Sequence, residues 1–216
     1  MTTPDMVLLI GPKNRSTWSL RAWILFSHYG IPFAEDHVDY RIPAGKKQLN
    51  ETSPSGWVPV LFHKGEPVWD TLGIAEYLAE TFPEYEMWPA DKRARAVARS
   101  VTAEMHSGFA ALRSEMEMLF AEEGKHVTPS DACNQNILRI QSIWNDARET
   151  FGQGGRYLFG KFSIADAFYA PVVSRFRTYG VKLDGPAADY AAMMWELPSM
   201  QQWFKGAQAE LLEAES

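Results

Sequence analysis

The stretch GWVPVLFHKGEPVWDTLGIAEYLAE, residues 56–80, sets the order of elements in the first part of the chain. Val58, Val60, Leu61 and Phe62 favour a buried, pleated strand, yet Pro59 stands among them with no backbone N–H to give a neighbour. That proline lies on an edge, opens a strand, or follows a cis bond. A tight Lys64-Gly65 turn leads into a second strand, and Ile74, Ala75, Leu78 and Ala79 then fall at helical spacing. Upstream, MVLLIG (6–11) is a short apolar strand stopped by Gly11-Pro12. In STWSLRAWILFSHYG (16–30), Trp18, Ala22, Trp23, Leu25, Phe26 and Tyr29 form one face of a helix closed by Gly30 and Pro32. PFAEDHVDY (32–40) reads as another strand, and AGKKQLNET (44–52) as a short helix or loop. The order β-α-β-(α)-β-β-α predicts two right-handed βα crossovers, a hairpin and a covering helix, giving a mixed four-stranded sheet with helices on its faces.

Beyond FPEYEMWPAD (82–91), where two prolines break any helix, strand signals vanish. The expected organisation is an α/β domain over 1–82, a linker over 83–91 and an all-helical domain over 92–216. Helices are predicted over about 92–119, 129–150 and 164–179, followed by PAADYAAMMWEL and PSMQQWFKGAQAELLEA, each opening with a first-turn proline. FSIADAF (162–168) carries a capping box: Ser163 and Asp166 exchange side-chain and backbone bonds, and Phe162 and Ala167 occupy the staple positions. The box reads as a helix start rather than a catalytic device.

A chain of 216 residues, 46% hydrophobic and 22% charged, has the composition of a soluble globular protein. Its net charge of −6, with no cluster of Lys and Arg, argues against nucleic-acid or anionic-membrane partners. The single cysteine, Cys133, allows no intrachain disulfide and no thiolate zinc site; in mid-helix it reads as packing. No metal is expected, because the histidines form no i, i+4 pairing with acids. With no export signal and no long apolar run, the chain is expected in the cytoplasm and outside the membrane.

A small βαβαββα domain with a proline opening its third strand, an acidic-hydroxyl pair just after the fourth, a linker, and a helical domain bearing an S-x-x-D cap resembles the soluble glutathione S-transferases. The resemblance spans essentially the whole chain and is strongest over residues 56–80. It implies a thioredoxin-like first domain, glutathione as co-substrate, a small electrophile as second substrate, and a homodimer. It implies a cis Pro59 that exposes the backbone of Val58 to the cysteine of glutathione, as an added strand would be exposed. The family's acidic-hydroxyl pair, usually Glu-Ser, is Asp70-Thr71 here and would hold the γ-glutamyl end; the same letters also suit a plain helix cap.

RSTWSLR (15–21) is similar to the S-S-C-S-x-R of zeta-class and the S-P-F-S-x-R of tau-class transferases. Both registers place the catalytic serine on Ser16, with Thr17 the competing hydroxyl. Trp18 stands where zeta-class proteins carry a cysteine, which weighs against their isomerase activity. No cysteine near residues 12–19 could act as an omega-type nucleophile. Lys47, or its neighbours Lys46 and Gln48, is the candidate for the glycine end. The second substrate is expected against Met105, Phe109, Leu112 and Arg113, a stripe that is mostly core, where Arg113 would favour an anionic electrophile. A non-catalytic glutathione or ligand carrier on the same fold, and a glutathione-dependent isomerase, are the alternative readings.

Overall fold

A computed structural model describes residues 5–215; residues 1–4 and 216, the outer ends of the two expected domains, lie outside it. The first half contains β1 (Met6–Ile10), α1 (Thr17–Tyr29), β2 (Ala34–His37), α2 (Pro43–Thr52), β3 (Val60–His63), β4 (Glu66–Val68) and α3 (Thr71–Thr81). The strands lie in the order β2-β1-β3-β4. β1 runs parallel to β2 and antiparallel to β3, and β3 pairs antiparallel with β4 through Leu61↔Val68 and His63↔Glu66. The sheet is mixed and four-stranded, as the pattern predicts, but only one of the two expected crossovers joins parallel strands. After α2 the chain re-enters the sheet from the end at which β2 leaves it, so β3 is reversed.

Alternation along the strands builds two apolar layers. Met6, Leu8, Ile10 and Leu61 face the large core, whereas Leu9, Val58 and Val60 face a smaller one closed by Val38 and by Leu49 of α2. Pro67 sits in β4, an edge strand, where its missing N–H costs no ladder bond. Helix α1 is buried nearly all round and ends at Gly30, whose φ of 66° is the left-handed cap that glycine adopts without strain.

The second half is helical among the described residues: α4 (Lys92–Ser107), α5 (Ala110–Glu115), α6 (Asp131–Phe151), α7 (Ile164–Thr178), α8 (Gly185–Trp195) and α9 (Pro198–Glu215). The helix expected over 92–119 is therefore two. Gly108 leaves α4 in extended conformation, with no room for a Cβ, which would lie 2.7 Å from the Glu104 carbonyl oxygen. Phe109 follows at φ 60°, and Asn136 of α6 accepts the Leu112 N–H at 3.2 Å near the start of α5. The helix does not continue to 119 either. Side chains take over: Arg175 donates to the Met116 carbonyl, and Thr178 to those of Leu119 and Glu122 at 3.1 and 2.9 Å.

α7 packs between α1, α4 and α8, and α9 returns to α1. Arg21 donates to the Phe168 carbonyl at 3.0 Å, Tyr29 to that of Phe162 at 2.8 Å, and Trp203 to that of Lys13 at 2.9 Å. These bonds tie the sheet half to the helical half along α1, from the loop before it to its last residue.

Candidate active site

The N-terminus of α3, the segment leading into β3 and the first turn of α1 enclose a cleft of about 200 Å³. Val58, Pro59, Asp70 and Thr71 line it together with Trp18, Ser55, Trp57 and Trp69. The Val58–Pro59 bond is cis, as the resemblance implies, and so is Trp69–Asp70. Asp70 caps α3: its Oδ1 accepts the Leu72 N–H at 2.8 Å, and its Oδ2 lies 3.4 Å from His106 Nε2 on α4. Thr71 is buried behind it, and its hydroxyl donates to the Trp18 carbonyl at 3.4 Å. A carboxylate at the mouth and the positive end of a helix just inside can receive an ammonium and a carboxylate side by side.

Ser16 is the N-cap of α1. Its Oγ accepts the Ser19 N–H at 3.3 Å and donates to Ser19 Oγ at 2.7 Å; Ser19 Oγ also accepts the Gly11 N–H at 3.0 Å. Ser16 is only 3% exposed and Thr17 is also buried, so neither is a wall of the cleft. Trp18 is that wall. The Arg21 guanidinium lies 4.5 Å from its ring and that of Arg113 4.9 Å, while the His106 ring meets it edge-on at 5.2 Å. Burial, then the neighbouring Arg113 and Arg175 guanidiniums, push the Arg21 pKa down; burial, then Arg113, pushes that of Arg175 down to about 10. The region behind Trp18 is therefore electropositive.

The other expected residues lie apart. Lys47 is on exposed α2, 3.9 Å from Glu51, in a shallow depression shared with Tyr40 and Lys46. Met105 and Leu112, 1% and 0% exposed, belong to the core, as does Phe109. Arg113 stays near the cleft through Trp18, but its side chain folds over the end of α4, donating to the carbonyls of Gly108, His106 and Met105. Cys133 is fully buried in α6, and burial pushes its thiol up. Among the described residues no group of three or more His, Cys, Asp or Glu is arranged to hold a metal ion, and no helix is long and apolar enough to cross a membrane.

Sequence reading missed Trp57 and Trp69, 74% and 46% exposed beside Val58 and Asp70. Two tryptophans at the ends of one hairpin were the available signal. The approach of His106 to Asp70 had none, since 36 residues separate them.

Two family models match: "Glutathione S-transferase, N-terminal domain" over residues 15–81 and "Glutathione S-transferase, C-terminal domain" over 94–206. A probable maleylacetoacetate isomerase of Caenorhabditis elegans is 31% identical over 46% of this chain and 47% of its own length, so that match spans about half of the relative. Glutathione S-transferase 1 of Dianthus caryophyllus is 28% identical over 84% of this chain and 82% of its own length. A stringent starvation protein A homolog of Coxiella burnetii is 25% identical over 97% and 96%. The solved structure of a glutathione transferase homolog from Burkholderia GL BGR1, with bound glutathione, shares the fold at a TM-score of 0.72 and 24% identity, covering 94% of this chain and 98% of that one.

Proposed function

Because this chain belongs to the glutathione S-transferase family, we propose that it is a glutathione transferase that activates the glutathione thiol for attack on a small electrophile. The observation that carries the reading is the convergence of Val58, Asp70 and Thr71 on one cleft at the N-terminus of α3. The Val58 backbone would pair with the cysteine of glutathione, Asp70 with the γ-glutamyl ammonium, and the first N–H groups of α3 with the γ-glutamyl carboxylate. Lys47 would meet the glycine end. The thiol gives its proton to solvent, the sulfur's electron pair forms the bond to the electrophilic carbon, and a leaving group departs with the pair of the bond that breaks. Holding the thiol as thiolate at neutral pH takes about two pKa units, or ~2.7 kcal/mol. One hydroxyl bond from Ser16 to the anion supplies roughly 1.5–3 kcal/mol and the N-terminus of α1 about 0.3–1. The electrophile would lie against Trp18 and Arg113, with Met105, Phe109 and Leu112 packed behind.

A second reading, a binding protein without turnover, draws on the Ser16 hydroxyl, which is committed to Ser19 rather than turned to the cleft. Similarity to proteins named maleylacetoacetate isomerase supports the third, a glutathione-dependent isomerase. Detoxification in the cytoplasm is the proposed setting and a homodimer the proposed assembly, the latter supported by the exposed apolar rings of Trp57 and Trp69.

Calorimetry with glutathione, followed by turnover on a panel of electrophiles, tests the reading. Asp70→Asn keeps a good N-cap but drops the charge, so it should weaken glutathione about tenfold while leaving the thermal midpoint nearly unchanged. An absence of binding heat at millimolar glutathione ends both the transferase and the carrier readings.

A further inference from the structure

His106, from the helical half of the molecule, reaches Trp18 and Asp70 in the wall of the cleft. Its ring stands edge-on to Trp18, with the Phe168 ring 6.1 Å away, and its Nε2 is 3.4 Å from Asp70 Oδ2. Its Nδ1 is buried and has no hydrogen-bond partner among the described residues. A buried ring N–H without an acceptor forfeits its hydrogen bond outright, whereas a bare ring nitrogen loses only an acceptor. The ring hydrogen therefore belongs on Nε2, the nitrogen that faces Asp70.

We propose that His106 is a positioning residue for ligand recognition: it donates from Nε2 to Asp70 Oδ2 and holds that carboxylate toward the amino group of glutathione. The inference rests on the glutathione reading of the cleft and adds to it a residue of the helical half. Leu72 N–H already holds Oδ1. With His106 on Oδ2 both oxygens are fixed, and each still offers one acceptor site to the ligand. The contact of 3.4 Å is loose in the free protein and closes to a hydrogen bond when the ammonium draws the carboxylate into place. Before the ligand arrives only Oδ1 is held, and the His106 bond adds its share in the complex.

The test compares glutathione with its analogue in which hydrogen replaces the γ-glutamyl α-amino group. Both are titrated calorimetrically into wild type, His106→Leu and His106→Gln, with thermal melts to show that each variant folds. Wild type should prefer glutathione. His106→Leu should weaken glutathione about five- to tenfold and change the analogue less than about twofold, because only glutathione presents the ammonium that Asp70 receives. His106→Gln, with an amide donor of similar reach, should restore part of the loss. Equal weakening of both ligands by His106→Leu, or no weakening of either, overturns the inference and leaves glutathione binding intact. Equal affinity of wild type for the two ligands overturns it as well. Wild type that takes up neither ligand overturns the reading of the cleft, and the inference falls with it.

Discussion

Ser16 is held by the start of its own helix. As N-cap it accepts the Ser19 N–H, and its hydrogen goes to Ser19 Oγ. The thiolate of the proposed reaction would be the stronger acceptor, because hydrogen bonds to an ionised group are about twice as strong as neutral ones. In the proposed reaction, rotation of the Ser16 hydroxyl would exchange Ser19 for sulfur. Ser16→Ala should accordingly raise the pKa of bound glutathione by roughly one to two units and slow turnover at neutral pH, with activity returning as the pH is raised. Affinity for glutathione should hardly change, since the other contacts do not depend on the state of its sulfur. Ultraviolet absorbance of the thiolate against pH measures this, with Thr17→Val as control. A curve moved by Thr17→Val but not by Ser16→Ala shifts the register by one; a curve moved by neither favours the carrier. At this scale the readable residues were the local ones. Val58 and Pro59 directly precede the β3–β4 hairpin and Asp70 and Thr71 directly follow it, so strand and turn chemistry bring them together. Arg21 stacks on Trp18 from one turn along the same helix, whereas the approach of Arg113 to Trp18 depends on packing across the two halves, which no short window of sequence encodes.

Elements with strong local punctuation were legible for the same reason. Gly30 ends α1, Lys64-Gly65 turns the hairpin, and the Ser163/Asp166 box starts α7 where the pattern places it. Gly108 was an equally local signal, overlooked because Met105, Phe109, Leu112, Met116 and Leu119 keep helical spacing across a chain that is no longer one helix. The box at α7 does more than its motif requires. Asp166 is fully buried: its Oδ2 takes the Ser163 N–H and hydroxyl at 2.9 Å each, and its Oδ1 takes the Leu158 N–H and the Tyr190 hydroxyl at 3.1 Å each. Removing the carboxylate strands four donors, whereas removing the Ser163 hydroxyl strands none of them. Asp166→Ala should cost about 3 kcal/mol or more, and Ser163→Ala only about 1. Chemical denaturation of both variants reads the difference. Equal losses would mean that the carboxylate acts as a cap alone.

At the scale of the molecule the two halves meet along α1, and His28 in its last turn is part of that seam. Its ring stacks on Phe162, just before α7, with centroids 3.7 Å apart, and Tyr29 beside it donates to the Phe162 carbonyl. Burial pushes the His28 pKa down from 6.5 to about 4, so in the folded protein the ring stays neutral where the unfolded chain would already have bound a proton. A depressed folded pKa contributes stability that is fully present above pH 6.5 and is lost as the pH falls toward 4. Asp166 works in the opposite sense. Burial pushes it up to about 6, so it takes its proton in the fold before it would in the unfolded chain, and acidification from 6 toward 3.8 adds stability. Glu35 enters later: burial raises its pKa, but hydrogen bonds from His37, Lys13 and Trp23 outweigh that and hold it down to about 2, so its contribution is lost only below about 4.5. Replacing His28 by Phe keeps a flat ring on Phe162 and removes the titration. Thermal midpoints measured from pH 7 to 4.5 should fall less steeply for His28→Phe than for wild type, the two curves converging toward pH 7 apart from a constant packing offset. Parallel curves across that window would show that the ring is protonated in place and that the seam does not exclude its charge.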